Sequence, residues 1–179
     1  MNNVEYEHKQ LITLDEYNNL VQELDRLYVC ENILQINYYY DDNNFSLFHK
    51  DETLRVRQKA NRLTLERKYN KRYAPGGERI CDESSKIIES LPSKVTIDNN
   101  IYSYLGELVT IRKNYIVDES TVSLDISYYL GKVDYELEVE SEKELILPTL
   151  VSGLIEFKNH NNGKYMRFIK ALKEMESEC

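Results

Sequence analysis

The sequence predicts an antiparallel α+β domain, mostly strand, which in its strongest form is a barrel with flanking helices. Three observations predict it. Strand-like segments with period-two alternation recur along the whole chain, seven or eight of them. Only a few stretches, chiefly residues 14–27 and the C-terminal tail, keep the spacing of an amphipathic helix. Most of the strands pair an apolar face with a face of full charges, as expected of a sheet with helices on one side and a polar space on the other.

The first strand is "VEYEHKQLIT", residues 4–13, where Glu5, Glu7 and Lys9 alternate with bulky residues and so share a face. "LDEYNNLVQELDRL", residues 14–27, spaces Leu14, Tyr17, Leu20, Val21, Leu24 and Leu27 as one helical stripe, and Thr13 with Glu16 makes a capping box at its start. "ILQINYYYDD" is β-branched and aromatic and ends in the turn signal "DNN". Strand packing is the expected role of Tyr38, Tyr39 and Tyr40, ahead of stacking on a ligand ring.

"TLRVRQK" and "LTLERKY", separated by "ANR", read as a hairpin. Pro75, Gly76 and Gly77 mark a loop, and "DESSKIIESL", residues 82–91, is a short helix candidate. "GELVTIRKNYIV", "TVSLDISYY" and "KVDYELEVES" follow as a three-stranded meander. Pro148 and Gly153 blur the boundaries of the apolar "EKELILPTLVSGLIEF", and the tail is helical through Tyr165, Phe168, Ile169 and Leu172.

One compact domain, residues 1–179, suits 179 residues of which 41% are hydrophobic. The net charge of −8 argues against general binding to a nucleic acid duplex, although a local cluster of Arg and Lys can still hold an anion. Cys30, Cys81 and Cys179 form no close pair, and "MNNVEYEHKQ" has no apolar core. The expectation is a cytoplasmic protein with no membrane contact, monomeric or homodimeric. His8, His49 and His160 have no metal-ligand spacing with a cysteine and are expected to be structural or exposed, His49 and His160 in loops.

The charged faces carry the functional signal. Arg55 and Arg57 share a face, as do Thr64, Glu66 and Lys68, then Thr110, Arg112 and Asn114. Asp125 lies opposite Leu124 and Ile126, and Asp134, Glu136, Glu138 and Glu140 alternate with Tyr135, Leu137 and Val139. Any one such strand is an ordinary solvated face. Here acids gather on the first and last strands and bases on the middle ones. If the charged faces enclose a shared interior, its acidic wall suits Mg²⁺ or Mn²⁺ and its basic wall suits phosphoryl oxygens.

The opening E-x-E-x-K, Glu5 to Lys9, resembles the signature of the CYTH superfamily, the triphosphate tunnel metalloenzymes. "YYYDD", "LRVR" and "DYELEVE" are similar to that family's later segments and fall in its order, closest to the bacterial YjbK-like branch. The resemblance implies an eight-stranded antiparallel β-barrel, the triphosphate tunnel fold, with flanking helices. It implies metal ligands Glu5, Glu7, Asp125, Glu136, Glu138 and Glu140, with Glu78 matching a further acid after the Gly-Gly loop. Phosphate ligands would be Lys9, Arg55, Arg57, Lys68, Arg112 and, by similarity to a basic pair with Arg167, Lys164. Glu7 and Lys9 would be catalytic, with Lys9 activating water.

One departure stands out. Many members read Leu-Thr-Leu-Lys where this chain reads "LTLE", so Glu66 takes the lysine position and Lys68 stands one pleat further along the same face. The implied activity is Mg²⁺- or Mn²⁺-dependent hydrolysis of a triphosphate, with inorganic triphosphate or a short polyphosphate favoured over thiamine or nucleoside triphosphates. The alternatives are a tunnel that binds polyphosphate or nucleotide without turnover, and a class IV adenylate cyclase.

Overall fold

The computed structural model describes residues 6–73, 79–141, 148–156 and 163–177, with the backbone alone at 6, 70–73 and 79–81. The elements are β1 (Tyr6–Ile12), α1 (Leu14–Leu27), β2 (Glu31–Asp41), α2 (Ser46–His49), β3 (Thr53–Lys59), β4 (Arg62–Tyr73), β5 (Arg79–Ile88), β6 (Lys94–Ile97), β7 (Asn100–Val117), β8 (Ser120–Tyr129), β9 (Lys132–Ser141), α3 (Thr149–Leu154) and α4 (Lys164–Ser177). Among the described residues no helix is long and apolar enough to cross a membrane.

Among the described residues every ladder is antiparallel, including β1 with β9 and β2 with β7, which are far apart in the chain. Eight strands run in the order β1-β9-β8-β7-β2-β3-β4-β5, matching the expected number, and β6 pairs with β7 as a ninth. Among the described residues no ladder joins the end strands β1 and β5, so the sheet is not closed by hydrogen bonds. It curls nonetheless: side chains from β1, β2, β3, β4, β7 and β9 line one cavity of about 160 Å³. The fold is thus an antiparallel sheet with flanking helices in a barrel-like tunnel.

Three expectations change. "DESSKIIESL" is mostly strand: β5 lies along β4, with Ile88 opposite Leu63 and Glu83 opposite Lys68. A ladder with a long neighbour outweighs a short segment's weak helical periodicity. β7 starts at Asn100 and runs straight through Gly106, which the sequence suggested as a boundary. The 98–99 pair turns β6 back into β7 with φ of 49° and 64°, the positive values a two-residue hairpin turn demands. His49, expected in a loop, ends the short helix α2, while Glu5, Glu78 and His160 lie outside the described residues.

The outer face of the sheet is half covered by α1 and α3. Leu20 and Leu24 of α1 and Val151 of α3 bury against Tyr115, Val122, Leu124, Leu137 and Val139. The capping box forms as expected: Glu16 N–H donates to Thr13 Oγ1 at 3.2 Å and Thr13 N–H to Glu16 Oε2 at 2.7 Å. Tyr39 and Tyr40 are fully buried in the packing.

α4 seats on the other half of the molecule. Phe168 packs on Tyr39 with ring centroids 5.1 Å apart, and a Cβ added at Gly106 would meet its ring at 2.8 Å. Gly106, at φ 155°, sits opposite Tyr39 beside a register shift, so the missing side chain is what admits the ring.

Asp41 fixes where α4 begins. Its buried carboxylate accepts from the backbone N–H groups of Asp42, Leu47 and Phe48 and, at 2.7 Å, from the Tyr165 hydroxyl. Asp41→Ala leaves these donors without their acceptor and should cost about 3 kcal/mol or more. Urea unfolding checks this, and a midpoint shift confined to a few tenths molar contradicts it.

Candidate active site

Register assembles the site. Glu7 pairs with Glu140 and Lys9 with Glu138 across β1 and β9. Asp125 faces Glu136 across β8 and β9, and Arg112 faces Asp125 across β7 and β8. Asn37 faces Arg57 and Tyr39 faces Arg55 across β2 and β3, and Arg55 faces Glu66 across to β4. Because strand side chains alternate, each of these pairs points to the same side of the sheet.

The cavity is lined by Glu7, Glu136, Glu138 and Glu140 on one wall, with Lys9 beside them, and by Arg55, Arg57 and Lys68 on the other, with Arg112 and Lys164 between. These are ten of the expected site residues. Asp125 is the exception among the described ones: it is fully buried behind Arg112 and Lys164 rather than lining the space.

Among the described residues, two clusters of carboxylates have oxygens within 4.8 Å of one another: Glu7 with Glu138 and Glu140, and Asp125 with Glu136 and Glu138. Their surroundings differ. The inner group is filled by protein cations. Lys164 Nζ lies 2.8 Å from Asp125 and 2.6 Å from Glu138 and also pairs with Glu136. Arg112 grips Asp125 with two hydrogen bonds of 2.7 Å and pairs with Glu138, while Arg167 reaches Glu136 at 2.7 Å. The outer group opens onto the cavity, with Lys9 held by Glu7 at 2.6 Å.

The charges respond accordingly. Burial alone would raise the Glu138 carboxyl, but Lys164 and Arg112 hold it well below its ordinary value. Glu136 goes the other way, raised chiefly by burial. Against the same pull of burial, Glu138 and Asp125 raise Arg112, and Glu136, Glu138 and Asp125 raise Lys164. Both cations are therefore locked in their charged forms.

The basic wall is less neutralised. Arg55 bonds Glu66 at 2.8 Å, whereas Arg57 donates to Asn37 Oδ1 at 3.0 Å and is 3.8 Å from Glu66. Burial and the neighbouring Arg55 charge push Arg57 down to about 10. Lys68 pairs with Glu83 at 3.3 Å. Glu66 thus shares its carboxylate between two arginines, and its carboxyl, which burial would raise, is held below its ordinary value by them.

Some contributors were not visible as site residues in the sequence. Gln35, Tyr39 and Thr53 line the cavity. Gln35, Asn37 and Tyr39 stand in period two on β2, so their shared face was readable, but neutral residues on a strand give no charge signal.

The match to known proteins agrees with this geometry. A protein of Bacillus subtilis (strain 168) named "Putative triphosphatase YjbK" is 30% identical over 148 residues, 77% of each chain. Two solved structures share the fold with a TM-score of 0.68. One, described as a candidate adenylate cyclase of Bacillus halodurans, is 23% identical and covers 93% of this chain and 98% of its own. The other, HpAC1 from Hippeastrum, described as an adenylyl cyclase candidate with a dominant triphosphatase activity, is 21% identical and covers 93% and 94%. The CYTH domain model matches residues 3–164. With that span of the chain accounted for and its charged strands folded into one tunnel, the chain belongs to the CYTH domain family.

Proposed function

We propose that the tunnel is the active site of a divalent-metal-dependent triphosphatase whose substrate is inorganic triphosphate or a short polyphosphate. One observation carries the proposal: a carboxylate wall and an arginine wall face each other across one cavity. The names given to YjbK and HpAC1 lend it further support.

The outer group Glu7, Glu138 and Glu140 offers only carboxylate oxygens and opens to the cavity, which fits Mg²⁺ or Mn²⁺. A cation bound there would supply charge neutralisation at the phosphoryl oxygens. Arg55, Arg57 and Lys68 hold the remaining oxygens and stabilise the charge that builds on them as the terminal phosphoryl group leaves. Arg112, locked onto Asp125 and Glu138, presents its outer edge to the same space. Lys9 and Glu7, ion-paired at the edge of the acidic wall, orient the attacking water. Water adds to the terminal phosphorus as the anhydride P–O bond breaks, so inorganic triphosphate yields orthophosphate from the attacked phosphorus, pyrophosphate as the leaving group, and a proton released to solvent.

A binding-only tunnel is the second reading, and Glu66 favours it, since it neutralises part of the arginine wall. Purified protein with Mg²⁺ or Mn²⁺ should release orthophosphate from inorganic triphosphate, and EDTA or Glu7→Gln should cut the rate roughly a hundredfold or more. Cyclic nucleotide and pyrophosphate formed from ATP would make it a cyclase instead. Tight binding with no release would leave the binding-only tunnel.

A further inference from the structure

β2 carries three neutral polar side chains in one period-two row, two of which, Gln35 and Tyr39, line the cavity, and each of the three ends in a buried atom without a protein partner. These are Gln35 Oε1, Asn37 Nδ2 and the Tyr39 hydroxyl, on residues no more than 2% exposed. Buried polar atoms in a folded protein are almost always bonded, so three orphans in one period-two row need an explanation. Fold stability gives none. A hydroxyl buried without a partner costs free energy that a phenylalanine would avoid.

The chemistry of two orphans is fixed by their neighbours. Arg57 Nε donates to the Asn37 side chain at 3.0 Å, and a guanidinium has no acceptor, so the oxygen of Asn37 must face it. The group left over is therefore the amide N–H₂, a donor. The Tyr39 ring is clamped by Tyr165 and Phe168 at 5.1 Å each, which holds its hydroxyl in place. Arg55, Lys164, Arg57 and Arg167 are the charged groups that act on that hydroxyl. A donor held among cations on a cavity wall is placed for an anion's oxygen.

We propose that Tyr39 binds substrate directly, donating a neutral hydrogen bond to a phosphoryl oxygen that the arginine wall holds by charge, while Asn37 behind it positions Arg57. This rests on the tunnel being the triphosphate site and adds what charge lacks. Arginines attract any anion that fits, whereas a fixed neutral donor selects an oxygen at a set position. Gln35 Oε1, the third orphan, is an acceptor, which repels a bare phosphoryl oxygen and suits water.

Tyr39→Phe separates this from a structural role, because the two predict opposite signs. Calorimetric titration with tripolyphosphate, with and without Mn²⁺, should show binding weakened roughly tenfold or more. The ligand-free melting temperature should stay equal or rise, since an unpaired buried hydroxyl has been removed. Unchanged tripolyphosphate affinity in Tyr39→Phe overturns the proposal while leaving the triphosphate tunnel standing. A wild-type protein that binds no tripolyphosphate overturns both.

Discussion

Lys164→Met should lower the melting temperature by roughly 6–20 °C, and Mn²⁺ should recover more of that loss than it adds to the wild-type protein. Lys164 Nζ, itself buried, is the cation shared by Asp125, Glu136 and Glu138. Removing one partner of a buried ion pair leaves an uncompensated charge, which typically costs about 3–5 kcal/mol. Methionine retains the apolar stem and most of the volume, so the loss reads out charge rather than packing. Arg112 and Arg167 remain but already hold Asp125, Glu138 and Glu136 from their own sides.

Three carboxylates short of one cation are a site for a divalent ion, and any ligand that binds only the folded state raises its stability. Thermal melts at a series of Mn²⁺ concentrations test this. An unchanged melting temperature in Lys164→Met would mean that the ammonium does not offset the buried acids. A lowered one with no enhanced response to Mn²⁺ would mean that the inner group takes no metal even when vacated, leaving Glu7, Glu138 and Glu140 as the candidate metal ligands.

Glu66→Lys is the second large effect, and its expected sign is a gain. The substitution removes a carboxylate from Arg55 and Arg57 and adds a cation, a change of two charges on the wall proposed to hold phosphate. Tripolyphosphate affinity should rise about tenfold or more, equivalent to roughly 1.4 kcal/mol. Stability should fall, because Arg55, Arg57 and the new lysine then repel one another without a counter-ion. Glu66→Gln separates the two terms, relieving neutralisation without adding charge. Weaker binding in both variants would show that Glu66 serves the ligand by orienting Arg55, and would sink the idea that it competes for the arginines.

The Glu66 ion pairs also set an acid limb. A carboxyl held below its ordinary value contributes stability above its unfolded value, and loses it as pH falls through the depressed folded value. Glu66→Gln should therefore flatten part of the wild-type's acid destabilisation.

The sequence by itself determined the alternation. Period-two spacing placed Glu7 with Lys9, Arg55 with Arg57, and Glu136 with Glu138 and Glu140 on single strand faces, because a strand's geometry leaves neighbours no other choice. It likewise determined α1 with its capping box, and α4, whose apolar stripes are complete within the segments themselves. The ordered motifs then pointed to the family that the match over residues 3–164 shows.

What crosses between strands was decided by tertiary structure. β5 is a strand because β4 lies beside it, a fact absent from "DESSKIIESL". Asp125 stood in the sequence as one more acid of the charged row, yet its partner across β7 is Arg112, and α4 returns from the far end of the chain to set Lys164 on it. Gln35, Asn37 and Tyr39 became a row of unpartnered donors and acceptors only when β3, β7 and α4 enclosed them. Local spacing fixes the face a side chain points to, but pairing, burial and the choice of counter-ion depend on residues tens of positions away, so only the folded chain decides them.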